Sequence, residues 1–209
     1  MSLRSALAQA AAVLLLVAGC AKRPPTHFYI LELRAAAAES QERSAAAAAP
    51  GLDIGVRIFQ VEPPYDEDNI VYRIGESSLE VGFYTYHRWA APLSSMLPGV
   101  IADGLAGAEG VRTIEPVLAG REYSAYLEGR LRSLEEVDQP NQQRVRIVAD
   151  LRLVTAEGSE IWSHALQAEG TTQTDEVAAI VQKMNSVLSE SIALARPKLV
   201  EALAQTQLH

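Results

Sequence analysis

Two long stretches in the second half of the chain alternate apolar and polar residues too regularly for a helix. Tyr123, Ala125, Leu127, Gly129 and Leu131 share one face of the first, and Val145, Ile147, Ala149, Leu151 and Leu153 share one face of the second. Glu128, Arg130 and Arg132 stand on the other face of the first, and Arg144, Arg146, Asp150 and Arg152 on that of the second. Successive strand side chains point to opposite faces, so a period of two held over about ten residues predicts a sheet with one apolar face and one polar, wetted face. The rest of the chain must cover the apolar face.

That cover is visible in the remaining pattern. Phe28-Tyr29-Ile30-Leu31-Glu32-Leu33 reads as a strand, and Leu52, Ile54, Val56 and Ile58 alternate as another, ended by Pro63-Pro64-Tyr65-Asp66. Ile70 to Ile74 and Leu79, Val81, Phe83 and Thr85 follow, with Gly75-Glu76-Ser77-Ser78 as the hairpin turn between them. Leu93, Met96, Leu97, Val100, Ile101 and Leu105 recur as one face of a helix, which Pro98-Gly99 should kink or split. Val111 to Val117 is a short strand, and Ala156-Glu157-Gly158-Ser159 turns the chain into a last strand over Ile161 to Gln167. Thr174 caps a final helix with Asp175 and Glu176 in its first turn. Its apolar stripe is Val177, Ile180, Val181, Met184, Leu188, Ile192 and Ala195, and Pro197 should kink it or end its first part. Strand runs separated by only two helices predict an α+β fold, a largely antiparallel sheet with both helices packed on one face.

The amino terminus has a different character. Arg4 precedes an apolar run from Ala6 to Ala18, which is too short to cross a bilayer of roughly 30 Å but fits a signal peptide. The run closes on Val17-Ala18-Gly19-Cys20, which resembles the lipobox of bacterial lipoproteins, in which the cysteine is lipidated and becomes the first mature residue. Cys20 is the chain's one cysteine, so neither an internal disulfide nor a zinc site of several thiolates can form. A signal anchor with a chance cysteine, or an ordinary secretory peptide, is the alternative. Ala21 follows Cys20 where an aspartate would resemble an inner-membrane retention signal, so the resemblance implies outer-membrane placement, lipid-anchored on the periplasmic face. The expected organisation is a signal peptide over 1–19, a lipidated tether over 20–27 and a single domain over 28–209. Ala21-Lys22-Arg23-Pro24-Pro25 reads as a short polar tether, extended at its tandem prolines, that holds the domain off the lipid. Within the domain, residues 35–50 hold nine alanines in sixteen positions and no large apolar residue, which reads as a low-complexity linker.

Charge and motifs narrow the function. Eighteen basic residues against 26 acidic ones leave a formal charge of −8, which speaks against nucleic acid as a partner. His27, His87, His164 and His209 lack the spacing of a metal site, and no nucleophile elbow or phosphate-cradling glycine loop is present. Asp66-Glu67-Asp68 reads as a solvated turn rather than a calcium loop. Neither catalysis, a cofactor nor a metal is expected.

Phe28-Tyr29-Ile30-Leu31 soon after the lipobox, Val61-Glu62-Pro63-Pro64-Tyr65 leading to Ile70-Val71-Tyr72-Arg73, and Tyr86-His87-Arg88-Trp89-Ala90-Ala91-Pro92-Leu93 carry a family resemblance. Together they resemble the ABC-type transport auxiliary lipoproteins, which include the periplasmic lipoprotein of the paraquat-inducible (Pqi) operon. The resemblance implies a non-enzymatic docking component of an envelope lipid-transport system. Its partners would be a periplasmic protein of the mammalian-cell-entry (MCE) type and an ABC permease and ATPase, with self-association into a homo-oligomer as a further expectation. A periplasmic carrier or chaperone holding lipid in an apolar cavity is the alternative, and a cell-wall-binding lipoprotein a third. Cys20 is the expected lipidation site. Tyr86, Arg88 and Trp89 are candidate partner contacts, although a structural role, with Trp89 packed in or against the core, is the favoured reading of Arg88 and Trp89. Arg73 is expected in a structural ion pair with a neighbouring acid, and Tyr72, Tyr84 and Tyr86 in an exposed strip or in cross-strand pairs.

Overall fold

The computed structural model describes residues 23–33, 51–139 and 142–206, so Cys20 with its lipobox and the alanine-rich 35–50 lie outside the described residues. Among these residues the strands are β1 (His27–Tyr29), β2 (Leu52–Val56), β3 (Gln60–Val61), β4 (Asn69–Ile74), β5 (Val81–Trp89), β6 (Val111–Pro116), β7 (Ala125–Gln139), β8 (Gln142–Thr155) and β9 (Glu160–Thr172). The helices are α1 (Leu93–Leu105), between β5 and β6, and α2 (Val177–Thr206), after β9. Strands, one helix, four strands and one helix is the order the periodicity predicts.

All nine strands form one sheet around β7. One edge of β7 is paired antiparallel to β8 along its whole length, and β8 is paired antiparallel to β9. The other edge is shared in series by three short parallel partners: β2 at residues 125–127, β3 at 130–131 and β4 at 135–138. Beyond β2 lies β6, and beyond β4 lie β5 and then β1. The sheet is therefore mixed, antiparallel in its long ladders and parallel where short segments dock on β7.

The expected strand of Tyr123 to Leu131 continues to Gln139 because the register shifts between Leu131 and Ser133. Before the shift the odd positions Ala125, Leu127, Gly129 and Leu131 face the helices; after it the even positions Leu134 and Glu136 do, opposite Ile147 and Val145. A β-bulge of this kind reverses the alternation, which hides the second half of the strand from a period-two reading.

Both helices pack on the apolar face. Every residue of the expected α2 stripe is buried, joined by Val187, Ser191, Leu199 and Leu203, and Thr174 Oγ1 accepts the Glu176 amide at 3.1 Å. Neither proline divides its helix, so of the two expected outcomes, a kink or a break, the break does not occur. Pro98 has no N–H to offer the carbonyl of Ser94, but that carbonyl accepts the Phe59 amide at 3.3 Å from the loop below. Pro197 likewise leaves a carbonyl without its intrahelical donor at Ala193, which is exposed and can be served by water.

The predicted first strand is shorter than expected. After Tyr29 the chain leaves the sheet and runs along α2, where Asn185 replaces the ladder: its Oδ1 accepts the Glu32 amide at 2.9 Å and its Nδ2 donates to the Ile30 carbonyl at 3.4 Å. Leu31 is buried there, and Leu33 packs close to Gly104 of α1.

Gly129 shows how tightly the loop under α1 fits. A β-carbon at this position would collide with the ring of Phe59, which lies over the strand. Gly129→Ala is expected to destabilise the protein by about 1–3 kcal/mol in urea unfolding, the range for overpacked cores. Adding Phe59→Leu should recover part of the loss, and a Gly129→Ala variant as stable as the parent would contradict this packing.

Candidate interaction site

Glu135 and Glu136 are consecutive in β7, so the pleat sends them to opposite faces, and both are buried, at 1% and 2% exposure. Glu135 lies on the outer face, away from the helices. Arg73 of β4 holds it by Nη2 at 3.0 Å from Oε2 and by Nε at 3.2 Å from both oxygens, and the Tyr65 hydroxyl donates to Oε2 at 2.7 Å. Arg73 also donates to the Ser78 carbonyl at 2.8 Å, tying the β4–β5 hairpin to the same carboxylate. Burial, reinforced by the Glu135 carboxylate, pushes the Tyr65 phenol well above its ordinary range, so it stays a donor. The ion pair expected for Arg73 thus exists, with a partner 62 residues away in sequence.

Around this centre the outer face is a lattice of ion pairs. Arg146 stands opposite Glu135 and Glu169 on its two neighbouring strands, with its Nε 3.1 Å from Glu169. Glu76 from the hairpin reaches both Arg146 and Arg144, the latter at 2.8 Å. Towards the other end of β7, Glu128 takes Arg152 at 2.7 Å and Arg57, whose guanidinium lies 4.2 Å from the centre of the Tyr126 ring. Arg132 pairs with Asp150 at 2.6 Å and Arg130 with Glu62 at 2.7 Å. Each arginine of this face has a carboxylate partner, and an open groove of about 510 Å³ runs past Arg57, Ile58, Glu128 and Arg152.

On the helix side, Glu136 accepts the Tyr84 hydroxyl at 2.6 Å, and the ring of Tyr72 lies 5.0 Å from that of Tyr84. Burial raises the Glu136 carboxyl above its ordinary range despite that hydrogen bond, and the charges of Asp138 and Asp175 push the same way. The tyrosines thus form a cross-strand pair, while Tyr86 stands apart at the surface.

The β1–β5 edge holds the residues singled out from sequence. His27 stacks on His87 at 5.1 Å, and the Tyr29 hydroxyl is 2.8 Å from His87 Nδ1. Trp89 is a core residue at 2% exposure, with its amide donating to the Asp68 carbonyl at 2.7 Å. Arg88 and Tyr86 are at the surface: Arg88 pairs with Asp68 at 3.2 Å, and both line an open groove of about 540 Å³ with Arg23, Pro24 and Phe28. Asp68 thereby belongs to an ion pair of the turn, not to a carboxylate cluster. Among the described residues no three His, Cys, Asp or Glu side chains come together to hold a metal ion. A further groove of about 410 Å³ along α2 is lined by Glu32, Gln182, Asn185 and Glu190 with two serines. Tyr65 enters the sequence reading only within a turn and a motif, and nothing there marks its buried role or those of Glu135 and Glu136, because a buried carboxylate looks like a solvated one until its partners converge.

Comparison with known proteins places these features in a group. A family model described as the ABC-type transport auxiliary lipoprotein component matches residues 29–194. No curated protein sequence matches the chain. A crystal structure of a Xanthomonas campestris protein superposes with a TM-score of 0.65 at 14% identity, covering 78% of this chain and 92% of that one. A second, of an uncharacterised protein, superposes with a TM-score of 0.59 at 16% identity, over 85% of this chain and 98% of that one. At such identities the likeness is one of fold.

Two substitutions test the buried acids. Arg73→Met should cost about 3 kcal/mol, because it leaves Glu135 buried without its main cation, and Glu135→Gln added to it should restore much of that. Glu136 works in the opposite sense. Its folded-state pKa is raised, so the folded protein binds more protons above pH 4.5 and the charged carboxylate detracts from stability as pH rises. Glu136→Gln, which still accepts the Tyr84 hydroxyl, should stabilise the protein by an amount that grows between pH 4.5 and 7. A stability gain independent of pH would contradict the assignment.

Proposed function

The chain belongs to the ABC-type transport auxiliary lipoprotein component family, and from that membership we propose that it is the outer-membrane-anchored docking component of an MCE-type lipid transport system. Lipidation at Cys20 holds it on the periplasmic face. A periplasmic MCE-type protein and an ABC permease and ATPase are its partners, and self-association would enlarge the platform it offers. In this reading residues 1–19 are removed, 20–27 form the tether and 28–209 fold as one unit.

The observation that carries a docking rather than a carrier role is how the space between sheet and helices is filled. Leu127, Leu151, Leu153, Ile180, Met184, Leu188 and their neighbours occupy it as one continuous core. The groove along α2 is open and lined by carboxylates, amides and hydroxyls, and the one past Glu128 is open and lined mainly by guanidinium and carboxylate groups with Ile58; neither is the enclosed apolar pocket that acyl chains favour. The ion-pair lattice offers a partner fixed charges at defined positions, which steer encounter and set register more than they add affinity.

Metabolic labelling with palmitate should mark the parent protein, and Cys20→Ser should lose both the label and the membrane fraction. Crosslinking in cells followed by purification of the lipidated protein should recover an MCE-type protein. A labelled, membrane-bound protein that never recovers one would remove the transport assignment and leave the anchor intact.

A further inference from the structure

Where the chain enters the sheet, two aromatic side chains are left in solvent. Phe28 is 64% exposed and Tyr86 is at the surface beside it, both lining one groove with Arg23, Pro24 and Thr26. The fold gives no reason for Phe28 to be aromatic: its neighbours in the ladder, His27 and Tyr29, have ring partners and it has none among the described residues. In the same groove Arg88 is paired with Asp68, which leaves Arg23 as the cation beside the two rings. Exposed aromatic side chains next to a cation settle at a membrane interface, with the ring among the headgroups and the charge by the phosphates.

Chain length says which surface lies there. Arg23, Pro24 and Thr26 are exposed but line the groove at the sheet edge, so the chain from Arg23 onward stays beside the domain. Only Ala21 and Lys22 separate Arg23 from Cys20, and three Cα steps span at most about 11 Å. With acyl chains at Cys20, a spacer that short would keep the β1–β5 edge near the bilayer, closer than the expectation of a domain held off the lipid. We propose that Phe28 and Tyr86 form a second membrane contact, seated in the headgroup layer of a phospholipid surface next to the lipid anchor. The inference rests on the lipidation of Cys20. It sets the domain with its β1–β5 edge down and the β4–β5 hairpin tip away, since Arg88 to Val81 of β5 runs alongside Asn69 to Arg73 of β4 and Leu79 lies two residues beyond, roughly 20 Å from that edge.

Because the natural cysteine is blocked by its lipid, a cysteine introduced elsewhere takes a spin label alone. Full-length lipidated protein carrying Phe28→Cys, Tyr86→Cys or Leu79→Cys is labelled and reconstituted in vesicles of phosphatidylethanolamine and phosphatidylglycerol. Collisions with oxygen and with a nickel chelate then report depth. All three positions are exposed, so the fold tolerates the changes, and Leu79, at 97% exposure, is the aqueous reference. Labels at 28 and 86 are expected to collide at least threefold less with the nickel chelate than the label at 79, and more with oxygen. In protein that floats with vesicles, a label at either position as open to nickel as that at 79 overturns the proposal. Labels at 28 and 86 shielded from both reagents overturn it too, assigning the edge to a protein partner or a second copy. Protein that does not float defeats the lipidation reading instead, which separates the two failures.

Discussion

Strand β7 is hydrogen-bonded along both edges for most of its length, with one long antiparallel neighbour on one side and three short parallel ones in series on the other. A strand held this way has little freedom to slide, since a shift of one residue would turn every side chain to the wrong face. The single irregularity, between Leu131 and Ser133, does that on purpose for the second half of the strand. It brings Leu134 under the helices and leaves the adjacent pair Glu135 and Glu136 to be buried one on each face. The two carboxylates meet different answers. Glu135 receives a guanidinium and a phenol, whereas Glu136 receives a phenol alone and is held towards its neutral form. The first draws together β4, the turn after β3 and the β4–β5 hairpin; the second joins β5 to β7 across Tyr72.

The outer face follows from the same register. Glu128 stands directly opposite Arg152 on the neighbouring strand and meets it there, while Asp150, opposite Arg130, is reached diagonally by Arg132, so opposite charges on this exposed face meet without any special loop. Exposed pairs of this kind each add little to stability, typically under about 1 kcal/mol. Their concentration on one face, while the apolar residues are gathered under the helices, is better matched to recognition than to holding the sheet. Short polar side chains at Ser163, Gln167 and Thr171 on the outward face of β9 extend the same wetted surface to the edge of the sheet.

How far the sequence reveals this depends on whether neighbours or distant residues decide. Strand alternation in β7 and β8, the stripe of α2 and the turn at Gly158 are local patterns and were legible as such. The bulge was not, because a reversed alternation reads as its end. Continuity through Pro98 depends on an amide from Phe59, and the shortness of β1 depends on Asn185, more than 150 residues on. Neither leaves a trace in its own segment. Of the residues singled out from motif resemblance, Trp89 turned inward and Tyr86 and Arg88 outward, as neighbours in a strand must. The buried roles of Tyr65 and Glu135 arise only when elements far apart in sequence converge.

The clasp formed by Asn185 also bears on how an anchored domain can act. A tether entering a frayed end would let the body swing freely, and partner surfaces would have no fixed height above the bilayer. Here the backbone at Ile30 and Glu32 is bonded to the middle of α2, and Leu31 is sunk in the core. Leu33 reaches across to α1, while β1 itself is paired with the end of β5 next to the buried Trp89. Any force arriving through the first residues passes at once into both helices and the sheet. Under the proposed lipid anchor, a stiff junction of this kind would turn the position of one lipid into an orientation for the whole domain, as a docking platform at a membrane requires.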